Sequence, residues 1–273
     1  MTDISDQLRF STVRVLCSNE DGELINKGTG FFVERNFGLT GSKVYLVSNK
    51  HVLYGAESIT LDFVLTKNKK PVQLIDNNNK FKVDTRQVTL SAVPALLRGH
   101  ENEDIDIAVV DCTKIFNSCP EGFEYQYATI PYEWLLDSAH FAKEKLSVGM
   151  ELDFYGCPAG VQVVPAYGKA ATDPQEDLLA DDNSGRTFPV FMIGGTIRQG
   201  SSGGPIYKVT RNKEQEVTKA VLVGIVSQGL IHQAPPPGFP QAYLNLGKAF
   251  RTPFIKEVID SMCPVFAIKK RRR

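Results

Sequence analysis

The sequence predicts an all-β protein, on three observations. Its apolar residues fall in short runs rich in Val, Ile, Phe and Thr; polar or glycine-bearing turns separate the runs at the spacing of sandwiches and barrels; and the pattern occurs twice, on either side of a stretch of different composition. In the first half the strand-like runs are 12–17, 28–34, 44–48, 58–65, 80–90 and 105–111. The composition then changes, and 131–139 reads as a short helix with Pro131 near its first turn. Strand signals resume at 150–155, 162–166, 187–193, 205–210, 216–228 and 241–246. The segment 171–186, acidic and poor in apolar residues, reads as a mobile surface excursion. Phe250, Phe254, Ile255, Val258, Ile259 and Met262 recur at close to helical spacing, which predicts a terminal amphipathic helix over 250–262. The expected organisation is a β half over 1–119, a linker over 120–145, a second β half with its helix over 146–262, and a basic tail over 263–273.

Composition narrows the function classes. A chain of 273 residues can bury a large core without disulfides. Lys plus Arg and Asp plus Glu balance at 31 each, so the body has no electrostatic support for a nucleic-acid or membrane-surface role. Lys269 to Arg273 is a basic run, read first as a solvated tail and second as a docking segment for an acidic partner or nucleic acid. Cys17, Cys112, Cys119, Cys157 and Cys263 form no metal-ligand spacing and are odd in number, which fits reduced thiols. Residues 1–7 lack a basic segment followed by an apolar one, and no apolar run reaches membrane-spanning length, so the expected location is cytoplasmic.

The stretch with chemical content is Arg198-Gln199-Gly200-Ser201-Ser202-Gly203-Gly204-Pro205, set between two apolar runs. Its glycines open backbone conformations closed to residues with a Cβ, and its serines offer a nucleophile. A hydroxyl that attacks a carbonyl creates an oxyanion, which needs N–H groups already aimed at it; the amides of Gly200 and Ser202, two residues apart, converge if the peptide between them turns sharply. The same composition also suits an ordinary turn, so the reading depends on partners elsewhere. His51 lies where the apolar run 44–48 gives way to polar residues, a firmly held position with access to solvent, and is equally a structural strand-end histidine. Asp106 stands directly ahead of an apolar run, where a half-buried carboxylate needs a donor. Asp104 has the same strand parity, and alternation does not choose between them.

Together these residues resemble the chymotrypsin/trypsin-like serine peptidases. Gly200-Ser201-Ser202-Gly203-Gly204-Pro205 resembles the family's Gly-Xaa-Ser-Gly-Gly-Pro signature, Asp106-Ile107-Ala108 its Asp motif, and the order His51, Asp106, Ser202 its triad. Gly28-Thr29-Gly30-Phe31-Phe32, Phe154-Tyr155-Gly156-Cys157-Pro158 and Gly224-Ile225-Val226-Ser227-Gln228-Gly229 resemble further strands of the family, in the manner of bacterial stand-alone trypsin-like domains. The resemblance implies two packed six-stranded antiparallel β-barrels with a C-terminal helix. It also implies a serine endopeptidase with catalytic His51, Asp106 and Ser202, and an oxyanion hole at Gly200 and Ser202. Thr196, Ser227, Gln228 and Gly229 are implied at the substrate pocket: no acid stands at Thr196, which disfavours Arg or Lys, and the open mouth at Gly229 with the mixed polarity of Thr196 and Ile197 favours small or medium apolar side chains before the cut bond. Such chemistry needs no metal or cofactor. The expected partners are a protein or peptide substrate and a regulatory protein.

One departure stands out. Ser201 occupies the place of the aspartate that, in digestive members, pairs with a new N-terminal amine, so activation by N-terminal trimming is not encoded. A catalytically silent double barrel that binds peptides along 224–229, and an esterase using the same triad, are the other readings.

Overall fold

The computed structural model describes residues 4–68, 70–75, 81–158, 163–179, 185–231 and 243–263. The fold is mostly β. In the first half, β1 (Thr12–Ser18), β2 (Leu24–Asn36), β3 (Ser42–Ser48), β4 (Ser58–Lys67), β5 (Thr85–Ser91), β6 (Leu97–Gly99) and β7 (Ala108–Asp111) carry the main part of a ten-stranded sheet. Its path runs β4, β1, β2, β3, β7, β6, with β5 laid on β4. In the second half, β8 (Glu151–Gly156), β9 (Val164–Ala170), β10 (Val190–Gly195), β11 (Pro205–Arg211), β12 (Val217–Ile231) and β13 (Tyr243–Arg251) close a six-stranded antiparallel barrel in the order β8, β9, β10, β13, β12, β11. Among the described residues no ladder closes the first sheet in the same way.

Strand alternation builds three cores. In β3, Val44 and Leu46 point into the first half while Tyr45 and Val47 point at the second; in β2, Phe32 points in while Phe31 and Val33 point across. These strands are buried on both faces, which is why they read as continuous apolar runs. The second barrel fills with Phe154, Phe191, Ile193, Ile206, Val223 and their neighbours. The middle core, where Phe31, Tyr45 and Val47 meet Tyr155, Tyr207, Leu222 and Ile225, joins the halves.

Several elements differ from expectation. The run 80–90 is two strands, Phe81–Val83 and β5, separated at Asp84, and β7 begins at Ala108 rather than at 105. The predicted helix over 131–139 is instead a 3-10 turn, Tyr132–Trp134, followed by a single α-turn, Ser138–Phe141, which Asp137 caps by accepting from the His140 amide at 2.8 Å. Phe250 belongs to β13, and the terminal helix spans Thr252–Met262, with Pro253 in its first turn and Ile255, Val258 and Ile259 buried. A short helix over Ile4–Phe10, with Leu8 fully buried in the middle core, had no sequence signal strong enough to predict it.

The acidic segment 171–186 is less free than its composition suggests. Within its described part, Arg251 donates to the Pro174 carbonyl at 2.6 Å, to Asp177 Oδ1 at 2.5 Å and to the Glu176 carbonyl, and Leu178–Leu179 pairs with Thr187–Phe188. Residues 80, 162, 180–184 and 241–242 of the predicted segments, and the tail from 264, lie outside the described residues.

The middle core sets the relative position of the halves, so weakening it is expected to weaken the whole fold. Phe31→Ala, at a fully buried seam position, is expected to lower unfolding free energy by about 3–5 kcal/mol in urea denaturation; a loss below about 1 kcal/mol would mean that the seam contributes little.

Candidate active site

His51 sits on a single helical turn, Lys50–Leu53, that follows β3, rather than at the strand end itself. The side chain of Asn49, the N-cap, makes no capping bond to the turn. The Asp106 carboxylate acts there instead: Oδ1 accepts from the His51 amide at 3.0 Å, and Oδ2 lies 2.6 Å from His51 Nδ1. Asn49 donates its side-chain amide to the Asp106 carbonyl at 2.7 Å, so the histidine turn and the aspartate are joined at both ends. Asp106 lies two residues ahead of β7. Its competitor Asp104 is exposed and engaged 3.0 Å from Arg186.

A third donor reaches Asp106 from the second barrel. Ser227 Oγ donates to Asp106 Oδ2 at 3.0 Å. In the β12–β13 ladder Val226 faces Ala249 and Gln228 faces Lys248, which leaves Ser227 as an extra residue in a bulge. A bulge re-aims a side chain that regular alternation would place elsewhere. The carboxylate thus accepts from the His51 amide and the Ser227 hydroxyl as well as facing Nδ1. With Nδ1–H donating to the acid, Nε2 of a neutral imidazole is the basic nitrogen.

The loop bearing Ser202 is tied on every side. The Ser201 amide donates to the Arg198 carbonyl at 3.0 Å, and the Gly204 amide to the Ser201 carbonyl at 3.0 Å. Gly203 donates to the Val226 carbonyl, and Val226 to the Gly204 carbonyl, each at 2.8 Å, which stitches the loop to β12 beside Ser227. Gly203 has φ +89°, and a Cβ there would collide with the Thr29 carbonyl and Ser48 Oγ, so only glycine fits. Gly200, at φ +94°, also needs the left-handed region. The Ser201 hydroxyl is buried and accepts from the Arg198 amide at 3.4 Å, a contact within the loop.

From the first sheet, the Thr29 amide donates to the Ser202 carbonyl at 2.8 Å and Thr29 Oγ1 donates to the Gly200 carbonyl at 2.7 Å. A Cβ at Gly28 would lie between the Val52 side chain and the Ser202 carbonyl, which sets the serine's backbone beside the turn that carries His51. Hence the Ser202 backbone lies beside the helical turn that carries His51, and Asp106 holds that turn. Among the described residues, the amides of Gly200 and Ser202, the Ser202 hydroxyl and His51 Nε2 have no hydrogen-bond partner.

The residues expected at the substrate pocket separate. Gln228 is exposed, and Ser227 turns to Asp106 rather than forming a wall. Thr196 is exposed and lines a cavity of about 380 Å³ with Tyr155, Pro158, Tyr167, Arg198 and Ser201. Against Gly229 the space is taken by Ile197, which is buried; a Cβ at Gly229 would lie 3.1 Å from Ile197 Cγ2, and one at Gly247, directly across the ladder, would collide with Ile197 Cδ1. The sequence places Ile197 beside Thr196 at the pocket but does not show that its side chain packs against Gly229 and Gly247, nor that Ser227 reaches Asp106. Reasoning from sequence also treated Thr29 only as part of a strand motif, although a threonine ahead of two buried phenylalanines signals a hydroxyl in need of partners.

No protein-family model matches the sequence, and no curated protein matches it. Among solved structures, the chain is similar to Rv3671c protease in its inactive form, at 16% identity and a TM-score of 0.46, covering 94% of this chain and 90% of that one. At this distance no residue role is carried across. Among the described residues no group of three or more His, Cys, Asp or Glu is placed to hold a metal, and no helix is long and apolar enough to cross a membrane.

Burial decides which thiols can react. It pushes the thiols of Cys17 and Cys157 up to about 12, and Cys112 higher still. Iodoacetamide treatment of the native protein at pH 8, followed by peptide mass mapping, is therefore expected to leave these three unmodified and to alkylate at most Cys119 and Cys263, both partly exposed. Rapid modification of Cys157 would contradict the packing beneath the serine loop.

Proposed function

We propose that the protein is a serine endopeptidase that works through Ser202, His51 and Asp106. The observation that carries this reading is the Asp106 carboxylate, which binds both the amide and Nδ1 of His51 and is linked through Ser227 to the strand that holds the serine loop. This bonding leaves Nε2 of the imidazole directed to its remaining task, proton transfer.

In the proposed reaction Ser202 Oγ attacks the peptide carbonyl carbon while His51 Nε2 takes the hydroxyl proton. Asp106 keeps the imidazole in the required tautomer and stabilises its charged form without itself becoming protonated. The carbonyl oxygen becomes an oxyanion, for which the amides of Gly200 and Ser202 are the candidate donors. His51 returns the proton to the leaving amine as the C–N bond breaks. Water, deprotonated by the same histidine, then releases the acyl group from Ser202. Among the described residues no hydrogen bond joins Ser202 Oγ to His51 Nε2, and catalytic hydrogen bonds of this kind commonly tighten only when substrate is bound.

Ile197 narrows the choice of substrate. With its side chain filling the space between Gly229 and Gly247, the residue before the cut bond is expected to be small, such as Ala or Ser. On peptide libraries, Ile197→Ala is expected to raise kcat/KM for Leu or Met at that position by about 10-fold or more, the scale set by a few methylenes in a pocket. Efficient cleavage after Phe or Arg by the unaltered protein would contradict this.

A fluorophosphonate probe tests the central reading. The folded protein is expected to be labelled on Ser202, and Ser202→Ala to abolish labelling and lower turnover by about a million-fold. Absence of labelling in folded protein would favour the peptide-binding scaffold.

A further inference from the structure

Thr29 is fully buried, yet each of its polar groups is used on the serine loop or its supports. Its amide holds the Ser202 carbonyl at 2.8 Å, and its hydroxyl donates to the Gly200 carbonyl at 2.7 Å. The same hydroxyl accepts from the Cys157 amide at 2.8 Å, just beyond β8 of the second barrel. Its carbonyl accepts from Ser48 Oγ at 2.6 Å, at the end of β3 and three residues before His51. One residue of the first sheet therefore grips the two carbonyls of the residues whose amides the reaction needs. It does so from a point braced against both halves.

We infer that Thr29 is the positioning residue of the oxyanion loop. This rests on the serine-peptidase reading above. Gly200 has no Cβ and sits at φ +94°, so its flanking peptides are free to rotate unless something holds them. Drawing the Gly200 and Ser202 carbonyls inward onto Thr29 fixes the 200–201 and 202–203 peptide planes, which flank the 201–202 plane that carries the Ser202 amide and adjoin the 199–200 plane that carries the Gly200 amide. Within the loop, Ser201 cannot form a buried ion pair, and its hydroxyl accepts from the Arg198 amide. The Thr29 hydroxyl supplies the cross-barrel tie instead. Because that hydroxyl also binds the Cys157 amide, docking of the two halves and orientation of the loop are a single event.

The test compares Thr29→Val, which keeps the shape and removes the hydroxyl, with Thr29→Ser, which keeps the hydroxyl. Each is measured for thermal midpoint, for kcat and KM on one small-residue peptide, and for affinity towards a peptidyl trifluoromethyl ketone. That probe forms a tetrahedral oxyanion on the serine. Thr29→Val is expected to lower kcat by about 10- to 100-fold, somewhat less than outright loss of an oxyanion donor, and to weaken the ketone in parallel. KM is expected to stay within about twofold, and Thr29→Ser to restore most of the loss. If Thr29→Val lowers only the thermal midpoint, while kcat and ketone affinity well below that midpoint match the parent protein, the residue is a structural tie and the inference fails. If Thr29→Val does not fold, Thr29→Cys replaces it, with a weaker thiol donor of similar size and the same two outcomes. Failure of the parent protein to react with a fluorophosphonate would overturn the peptidase reading itself; labelling of the parent with an unchanged rate in the variant would overturn the role of Thr29 alone.

Discussion

A carboxylate at the seam between two β units must be satisfied by donors, and Asp106 takes them from both. The His51 amide and imidazole come from the first half, and the Ser227 hydroxyl comes from the second. Removing the donors would leave a half-buried charge uncompensated, at a cost of several kcal/mol. This requirement ties the bulge in β12, the turn after β3 and the approach to β7 into one arrangement. The serine loop joins the same arrangement through the bonds between Val226 and the pair Gly203 and Gly204.

The hydrogen bonds are positioned by packing that contains almost no polar atoms. Phe31 and Val33, which cross the seam, lie on the strand that also carries Thr29; Tyr45 and Val47 lie on the strand that ends at Ser48. Alternation sends neighbouring side chains to opposite cores, so a one-residue slip in β2 or β3 would exchange core and seam residues and carry Thr29 or Ser48 away from the loop. Geometry at the site is thus specified by the apolar register of the strands. The glycines at 28 and 203 then allow the two halves to approach closely enough for backbone bonds to form.

Much of this was legible in the sequence, for identifiable reasons. Short alternating runs and their turns gave the all-β class, and the second half does close into a six-stranded barrel. His51 and Asp106 stood out because each sits where an apolar run meets a polar break, and Ser202 because of its Gly-Xaa-Ser-Gly-Gly-Pro setting; the structure bonds His51 to Asp106 and sets the Ser202 backbone beside the histidine turn. What remained hidden depended on contacts across long stretches of chain. Ser227 was expected on a pocket wall from the family resemblance; a bulge in β12 turns its hydroxyl to Asp106. Arg251 anchors the acidic segment from about a barrel's width away in sequence, so composition alone made that segment look mobile. Pro131 to Ala139 has helical composition, but two separate short turns satisfy it. Ile197 could be placed beside Thr196, but its packing against two glycines on strands that follow it could not be read from the sequence.

The proposed nucleophile is Ser202, in an oxyanion loop held from the first sheet by Thr29. A crystal structure of the protein treated with a peptidyl trifluoromethyl ketone tests it most directly. The account predicts a covalent bond from Ser202 Oγ to the ketone carbon, with the new oxyanion about 2.7–3.1 Å from the amides of both Gly200 and Ser202. An adduct on another residue, or one on Ser202 whose oxygen points away from both amides, would contradict it.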